Sequence, residues 1–132
     1  MSRVRLVRSA ELADRAPYAY AAVADAGALV FTAGACPLDA DGNTVGAGDI
    51  AAQAEQVMQN LRTALEAAGA GLGDVLKTTV YVATTSQDDL VTAWQVVHRH
   101  FGDHDAPSTL LGVTVLGYDD QLVEVEAVAV LP

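Results

Sequence analysis

The chain has 132 residues, of which 52% are hydrophobic and 18% are charged, and its formal net charge is −10. That length is typical of one domain, so we expect residues 1–132 to fold as a single unit whose core needs no metal or disulfide. The apolar composition excludes disorder as the main state and favours burial of further surface in an oligomer. The acidic balance argues against a nucleic-acid partner, because phosphate binding needs clustered lysine and arginine.

Cysteine usage and apolar runs bear on the cellular compartment. Cys36 is the only cysteine, so no disulfide forms within the chain and a reducing compartment is compatible. Because no neighbouring cysteine or histidine pattern supports a reactive thiol, we interpret Cys36 as a small buried residue. The sequence has no charged-then-apolar leader and no apolar run of about 18 residues. We therefore expect a cytoplasmic protein without a membrane partner.

Three short strands are predicted near the start of the chain, over residues 4–7, 19–23 and 29–34. Asp25, Ala26 and Gly27 lie between the second and third strands and are typical of a turn. This arrangement predicts a hairpin made of the second and third strands.

The apolar spacing changes to a helical period after Asp49, which is typical of a helix N-cap. A helix is predicted over residues 50–68, with one apolar stripe that packs on a sheet and with Gly69 at its end. The run of β-branched residues at 76–83 then predicts a strand.

The remaining elements are a helix and two strands. Ser86 is expected to cap a helix over residues 87–100, and the closing strands are predicted over 110–116 and 122–131. The full order is β-β-β-α-β-α-β-β. It predicts an α+β fold in which both helices pack on one face of a mixed β-sheet.

The last predicted strand has an ambiguous face. Val123, Val125 and Ala127 share an apolar face. The other face starts with Glu124 and Glu126 and continues with apolar residues. A carboxylate at such a boundary is a candidate for acid–base chemistry, because partial desolvation raises a carboxyl pKa. The alternative is that both glutamates lie in water at a strand end.

No motif in the sequence predicts a cofactor or a metal. The glycines at 69–73 follow a helix rather than a strand, which favours a loop over a dinucleotide site. His98 and His100 are two residues apart and point to different sides of a helix. No cysteine or carboxylate spacing completes a zinc set with these two and His104. We therefore expect neither a cofactor nor a metal.

Six segments form an ordered set that covers almost the whole chain. They are residues 16–18 (Ala-Pro-Tyr), 29–39, 53–61, 74–82, 106–109 (Ala-Pro-Ser-Thr) and 123–127 (Val-Glu-Val-Glu-Ala). In order and spacing the chain resembles the reactive intermediate deaminase (Rid) family, also known as endoribonuclease L-PSP. The resemblance implies a chorismate-mutase-like fold and a homotrimer with a small-molecule cleft at each subunit interface. It also implies hydrolysis of enamines and imines to keto acids and ammonia without a cofactor.

Site residues carry over from the family by position. The resemblance places the catalytic glutamate at Glu124, the cleft tyrosine at Tyr18 and the strand-ending glycine, whose following amides contact the ligand, at Gly34. The loop at residues 117–119 is one residue longer than the family's usual loop. Glu126 is expected to be structural or solvated.

Three positions depart from the family pattern. The arginine that binds the substrate carboxylate is replaced by Ser108, and the residues flanking the glycine are Ala33 and Ala35. Loss of that cation removes a charge-assisted pair, and the net charge of −10 repels an anion further. We therefore expect a neutral or weakly acidic ligand that hydrogen-bonds Ser108 and Thr109. Trp94 either forms a wall of the cleft or packs in the core.

Two functions follow from the retained and missing residues. The first is hydrolysis of an imine, an enamine or a related C–N bond, with Glu124 acting as acid and base on a water. The second is a trimer that binds or senses a small molecule without catalysis. RNA cleavage, which the older family name suggests, is opposed by the acidic charge and by the lack of a suitably placed histidine pair.

Overall fold

The computed structural model describes residues 2–15 and 17–132, so Ala16 of the segment 16–18 lies outside the described residues. The described residues fold in the predicted α+β order, with strand ends shifted by up to three residues. The strands are β1 (Val4–Val7), β2 (Ala21–Ala24), β3 (Leu29–Phe31), β4 (Val75–Ala83), β5 (Ser108–Val113) and β6 (Val123–Val130), and the helices are α1 (Ile50–Ala67) and α2 (Gln87–Phe101).

Four strands form a mixed sheet in the order β3-β6-β4-β5, and β1 and β2 form a separate antiparallel pair. β4 and β5 are parallel neighbours joined through α2, and β6 runs antiparallel to both β3 and β4. The predicted hairpin of the second and third strands is wrong. β2 pairs with β1, where Arg5 lies opposite Val23, and β3 pairs with β6, where Val30 lies opposite Ala129. Burial explains this choice, because pairing with β6 packs Val30 against the core, whereas β2 is mostly exposed.

The helix ends follow the predicted residues with one correction. The Asp49 side chain accepts a hydrogen bond from Ala52 N at 3.0 Å, as expected of an N-cap, and Gly69 just after the helix has a φ of +91°. Ser86 occupies the N-cap position of α2, but its side chain makes no capping bond. Thr84 instead accepts from Ser86 N at 3.0 Å, through its hydroxyl oxygen. No helix among the described residues has the length and apolar character needed to cross a bilayer.

Both helices pack on one face of the four-stranded sheet, and the core lies between the two layers. The alternation of β6 is confirmed on this side, since Val123, Val125, Ala127 and Ala129 are all buried. We call the opposite side the open face; it carries Phe31, Thr79, Tyr81, Leu111, Glu124, Glu126 and Val128. Phe31 is 72% exposed there, which is unusual for so large an apolar side chain.

The segment that follows β3 contains a bulge. Thr32 N donates to Ala127 O at 3.0 Å, and Ala35 N donates to Val125 O at 2.7 Å. Thr32 and Ala35 are three positions apart, whereas their partners on β6 are only two positions apart, so this segment contains one extra residue, as in a β-bulge. The bulge ends the regular strand earlier than predicted and turns Gly34 toward the open face of β6.

Candidate functional site

The carboxylate of Glu124 is held by two donors at one oxygen. Glu124 lies on β6 opposite Tyr81 of β4 and is partly buried. Its Oε1 accepts from Gln121 Nε2 at 3.1 Å and from Cys36 Sγ at 3.3 Å. Gln121 is itself buried, and its Oε1 accepts from Tyr118 N at 3.1 Å. Because Oε1 is fixed in this way, the direction of the second oxygen, Oε2, is also set.

Gly34 packs directly against this carboxylate. A Cβ placed on Gly34 would lie 2.2 Å from Glu124 Oε2 and 2.5 Å from Glu124 Cδ. No side chain fits at position 34 unless Glu124 moves, so the close approach requires glycine at this point of the bulge. The two residues that the sequence placed in the site are therefore neighbours in the fold.

Cys36 is a hydrogen-bond donor rather than an inert core residue. It is half-buried, and its thiol donates to Glu124 as well as lying 3.4 Å from Gly34 O. Burial, followed by the hydrogen bond to Glu124 and the charge of that carboxylate, raises the pKa of Cys36 to about 11. The side chain is therefore a neutral thiol at physiological pH, which argues against a role as a nucleophile.

Four other predicted residues line one cavity of about 460 Å³ beside the edge strand β5. The cavity is lined by Pro17, Tyr18, Trp94, Ser108, Thr109 and Leu110. The rings of Tyr18 and Trp94 meet edge to face, with centroids 6.0 Å apart and an interplanar angle of 89°. Ser108 Oγ lies 2.7 Å from Thr78 Oγ1, and Thr109 Oγ1 accepts from Lys77 Nζ at 2.5 Å. Trp94 is thus a cavity wall that also packs against the core.

Asp105 links the two segments that carry the aromatic side chains of this cavity. Its carboxylate pairs with Arg8 at 2.8 Å and with His98 Nε2 at 3.2 Å. Arg8 also donates to Tyr18 O at 3.0 Å, and the His98 ring stacks under Trp94 with centroids 5.8 Å apart. One carboxylate therefore connects the segment that carries Tyr18 with the helix that carries Trp94.

The carboxylate pocket and the cavity are separate within one subunit. Ser108 lies opposite Thr78, which is buried and opposite Ala127, so its side chain belongs to the helix side of the sheet. Glu124 belongs to the open face and lies two strands away, level with Leu111. Strand spacing and rise put the two Cα positions roughly 14 Å apart. The structure therefore brings together Glu124 with Gly34, and Tyr18 with Trp94, Ser108 and Thr109, but not the two groups.

Sequence reasoning missed the residues that hold Glu124. Gln121 precedes the strand by two residues, and Cys36 comes from a segment 88 residues away. The position of Gln121 near the start of the strand is a local signal. No local signal identifies the thiol as a neighbour of Glu124, because the bulge decides that contact.

The second glutamate of the strand has a structural partner. The Tyr81 hydroxyl donates to Glu126 Oε1 across the β4–β6 pair on the open face. This hydrogen bond, with burial, raises the pKa of Tyr81 above its usual value. Tyr81 therefore remains a neutral phenol that satisfies Glu126, which agrees with the structural role expected for that glutamate.

The three histidines have separate partners. His98 contacts Asp105, His100 Nε2 lies 2.7 Å from Glu55, and His104 Nε2 lies 2.7 Å from the carbonyl oxygen of Val75. In residues 2–15 and 17–132 no group of three histidine, cysteine or acidic side chains has the arrangement of a metal site. Each of the three histidines thus contacts a different protein partner.

Comparison with known proteins settles the family. The family model described as endoribonuclease L-PSP matches residues 9–131. The chain belongs to the Rid (endoribonuclease L-PSP) family. The crystal structure of YyfB from Yersinia pestis, a protein of the Rid family, superposes with a TM-score of 0.89 at 30% identity, covering 98% of this chain and 99% of YyfB. This likeness agrees with the chorismate-mutase-like fold that the sequence resemblance implied.

Two relatives illustrate the range of the family. The RutC family protein PH0854 of Pyrococcus horikoshii is 36% identical over 110 residues, which cover 83% of this chain and 85% of that protein. The 2-iminobutanoate/2-iminopropanoate deaminase of Salmonella typhimurium is 35% identical over 108 residues, which cover 80% of this chain and 82% of the enzyme. The Rid family thus includes imine deaminases at this level of identity.

Proposed function

We propose that this Rid-family protein is a homotrimer with a ligand cleft at each subunit interface. We further propose that it hydrolyses an imine, an enamine or a related C–N bond of a neutral or weakly acidic small molecule. The observation that carries the proposal is the orientation of Glu124, whose Oε1 is held by Gln121 and Cys36 while Oε2 points along Gly34. Similarity to the 2-iminobutanoate/2-iminopropanoate deaminase supports the reaction class.

The division of the site supports assembly from more than one copy. Glu124 and the aromatic cavity lie two strands and roughly 14 Å apart within one subunit, so a second copy is needed to place them in one cleft. The open face also exposes apolar side chains, including Phe31 and Leu111, that an association of copies would bury. In the proposed trimer, Glu124 of one copy faces the Tyr18–Trp94 cavity of the next.

The proposed reaction needs one water and one carboxylate. Glu124 Oε2 takes a proton from the water as its oxygen bonds to the carbon of the C=N group and returns that proton to the nitrogen, which gives a carbinolamine. The carboxylate then takes the hydroxyl proton and passes it to the nitrogen as the C–N bond breaks, which leaves a carbonyl and an amine or ammonia. Ser108 and Thr109 supply hydrogen bonds, and Tyr18 and Trp94 enclose the body of the substrate.

The ligand class follows from the chemistry of the cavity lining. Among the described lining residues there are hydroxyl and apolar side chains but no cation, and position 108 is serine. The family's arginine, which would bind the carboxylate of a 2-imino acid, is absent at this position, so this cavity would hold its ligand by hydrogen bonds and apolar contacts. This lining favours a molecule that is neutral or only weakly acidic.

The proposal is tested with purified protein and a panel of imines, enamines and neutral amides, with release of ammonia as the readout. Wild type is expected to turn over at least one compound, and Glu124→Gln is expected to abolish that turnover. Glu126→Gln is the matched control, because Glu126 lies on the same face of the same strand but is occupied by Tyr81. Analytical ultracentrifugation should give a trimer for all three proteins. Absence of Glu124-dependent turnover on every compound would contradict the hydrolase.

A non-catalytic binding trimer is the second candidate, and Ser108 in place of an arginine favours it. In that case co-crystal and thermal-shift screening should find a ligand that binds wild type and Glu124→Gln equally well while no compound is turned over.

A further inference from the structure

Lys77 places a cation next to the cavity from a different strand. It is the only lysine of the chain and lies on β4, opposite Val128 on the open face. Its Nζ donates to Thr109 Oγ1 at 2.5 Å, and Thr109 lines the cavity. The ammonium is therefore separated from the cavity by a single hydroxyl group.

The Lys77 ammonium has more N–H donors than its hydrogen bond to Thr109 uses. The contacts between basic and acidic side chains of the described residues involve Arg8, His98, Arg99 and His100, and none of them includes Lys77. An ammonium carries three N–H donors, and Thr109 accepts one of them. Glu126, which lies on the open face of the neighbouring strand β6, is already hydrogen-bonded by Tyr81. Within residues 2–15 and 17–132, Lys77 thus has no carboxylate partner, and the cavity beside it has no cation in its described lining.

We propose that Lys77 and Thr109 form an anion subsite of the cavity and that the ligand carries one acidic group that binds there. This inference rests on the proposed ligand cleft. Of the two ligand classes proposed above, neutral and weakly acidic, it selects the weakly acidic one. The rest of the ligand is a flat apolar body, because Tyr18, Trp94 and Leu110 supply the other surface of the cavity.

The position of the cation distinguishes this ligand from a 2-imino acid. Ser108 belongs to the helix side of the sheet, whereas Lys77 and Thr109 belong to the open face, so the subsite lies on the other side of β5. An acidic group bound there sits at a different distance and angle from the rest of the cleft than a carboxylate bound at position 108. The chain therefore selects a molecule with a different spacing between its acidic group and its body.

The experiment compares phenylacetate with phenylacetamide, two ligands that share one flat body and differ in charge. Binding to the full-length protein is followed by calorimetry and by the fluorescence of Trp94, the only tryptophan of the chain. Wild type is expected to bind phenylacetate about tenfold more tightly, since a hydrogen bond to a charged group contributes at least that factor. The preference should weaken as salt is added.

Three variants separate the possible explanations. Lys77→Gln should remove the preference and leave the affinity for phenylacetamide unchanged, whereas Lys77→Arg should keep the preference. Glu124→Gln should bind both ligands as wild type or with a slightly larger preference, so a failure of hydrolysis and a failure of the subsite are seen independently. The proposal is overturned if wild type shows no preference or binds neither ligand, or if Lys77→Gln weakens both ligands equally.

Discussion

Substitution of Gly34 by alanine should disturb Glu124 more than any other part of the fold. The added Cβ would lie 2.2, 2.5 and 2.8 Å from Oε2, Cδ and Cγ of Glu124, so rotation of the carboxylate alone cannot relieve the clash. The whole side chain must swing away, which breaks its hydrogen bonds with Gln121 and Cys36. Loss of two bonds to a partly exposed carboxylate costs about 2 kcal/mol of unfolding free energy.

Thermal unfolding at fixed protein concentration provides the assay. A loss of that size corresponds to a fall in Tm of about 8 °C for a chain of this length. Any Glu124-dependent turnover should fall by about 10²-fold, because a displaced acid–base group loses its alignment. Gly73→Ala is the matched control, since a Cβ there meets no heavy atom within 4 Å, and it should change stability by less than about 0.5 kcal/mol.

A double-mutant cycle decides whether the carboxylate is responsible. In a Glu124→Ala background the atoms that clash with Cβ are absent, so Gly34→Ala should cost less than about 0.5 kcal/mol. An equal loss in both backgrounds would refute the reasoning, because the strain would then lie in the backbone of the bulge.

Three further outcomes are expected. The pKa of Cys36, about 11 in the fold against its usual 9.0, should fall in Glu124→Gln when alkylation is followed against pH. Because the pKa of Cys36 is higher in the folded than in the unfolded state, the thiol's contribution to the free energy of unfolding is present below pH 9 and is lost as pH rises towards 11. In Cys36→Ala, the free energy of unfolding should therefore fall less between pH 9 and pH 11. Gln53→Leu should lower the free energy of unfolding in urea by about 3 kcal/mol, because the buried Gln53 side chain hydrogen-bonds Asp120 O at 2.8 Å and Leu122 N at 2.7 Å. Gln59→Leu, at an exposed position of the same helix, should leave that free energy nearly unchanged. Ser108→Arg should raise 2-iminopropanoate deamination by about 10²-fold, and no gain would contradict the placement of the family's arginine at this position.

Local sequence patterns predicted where the helices and strands lie, but they did not predict which strands pair with each other. Asp49 and Gly69 delimit the first helix because a cap and a left-handed residue act within one helical turn. The turn at 25–27 predicted the wrong hairpin, because β3 gains more burial beside β6 than beside β2. The site shows the same limit. Glu124 is identifiable from alternation and family resemblance, whereas its contact with Cys36 depends on a bulge that no local pattern marks.

The sequence by itself determined the family, the α+β class and the apolar face of the last strand. These depend on periodicity, on capping residues and on the order of short motifs, all of which are local properties of the chain. Only the tertiary structure decided that Glu124 and Gly34 are in contact, that Tyr18, Trp94, Ser108 and Thr109 share a cavity, and that Ser108 lies on the helix side of the sheet whereas Glu124 lies on the open face. The reason is physical: the side of a sheet on which a residue lies depends on strand register, and register is set by burial between segments far apart in the chain.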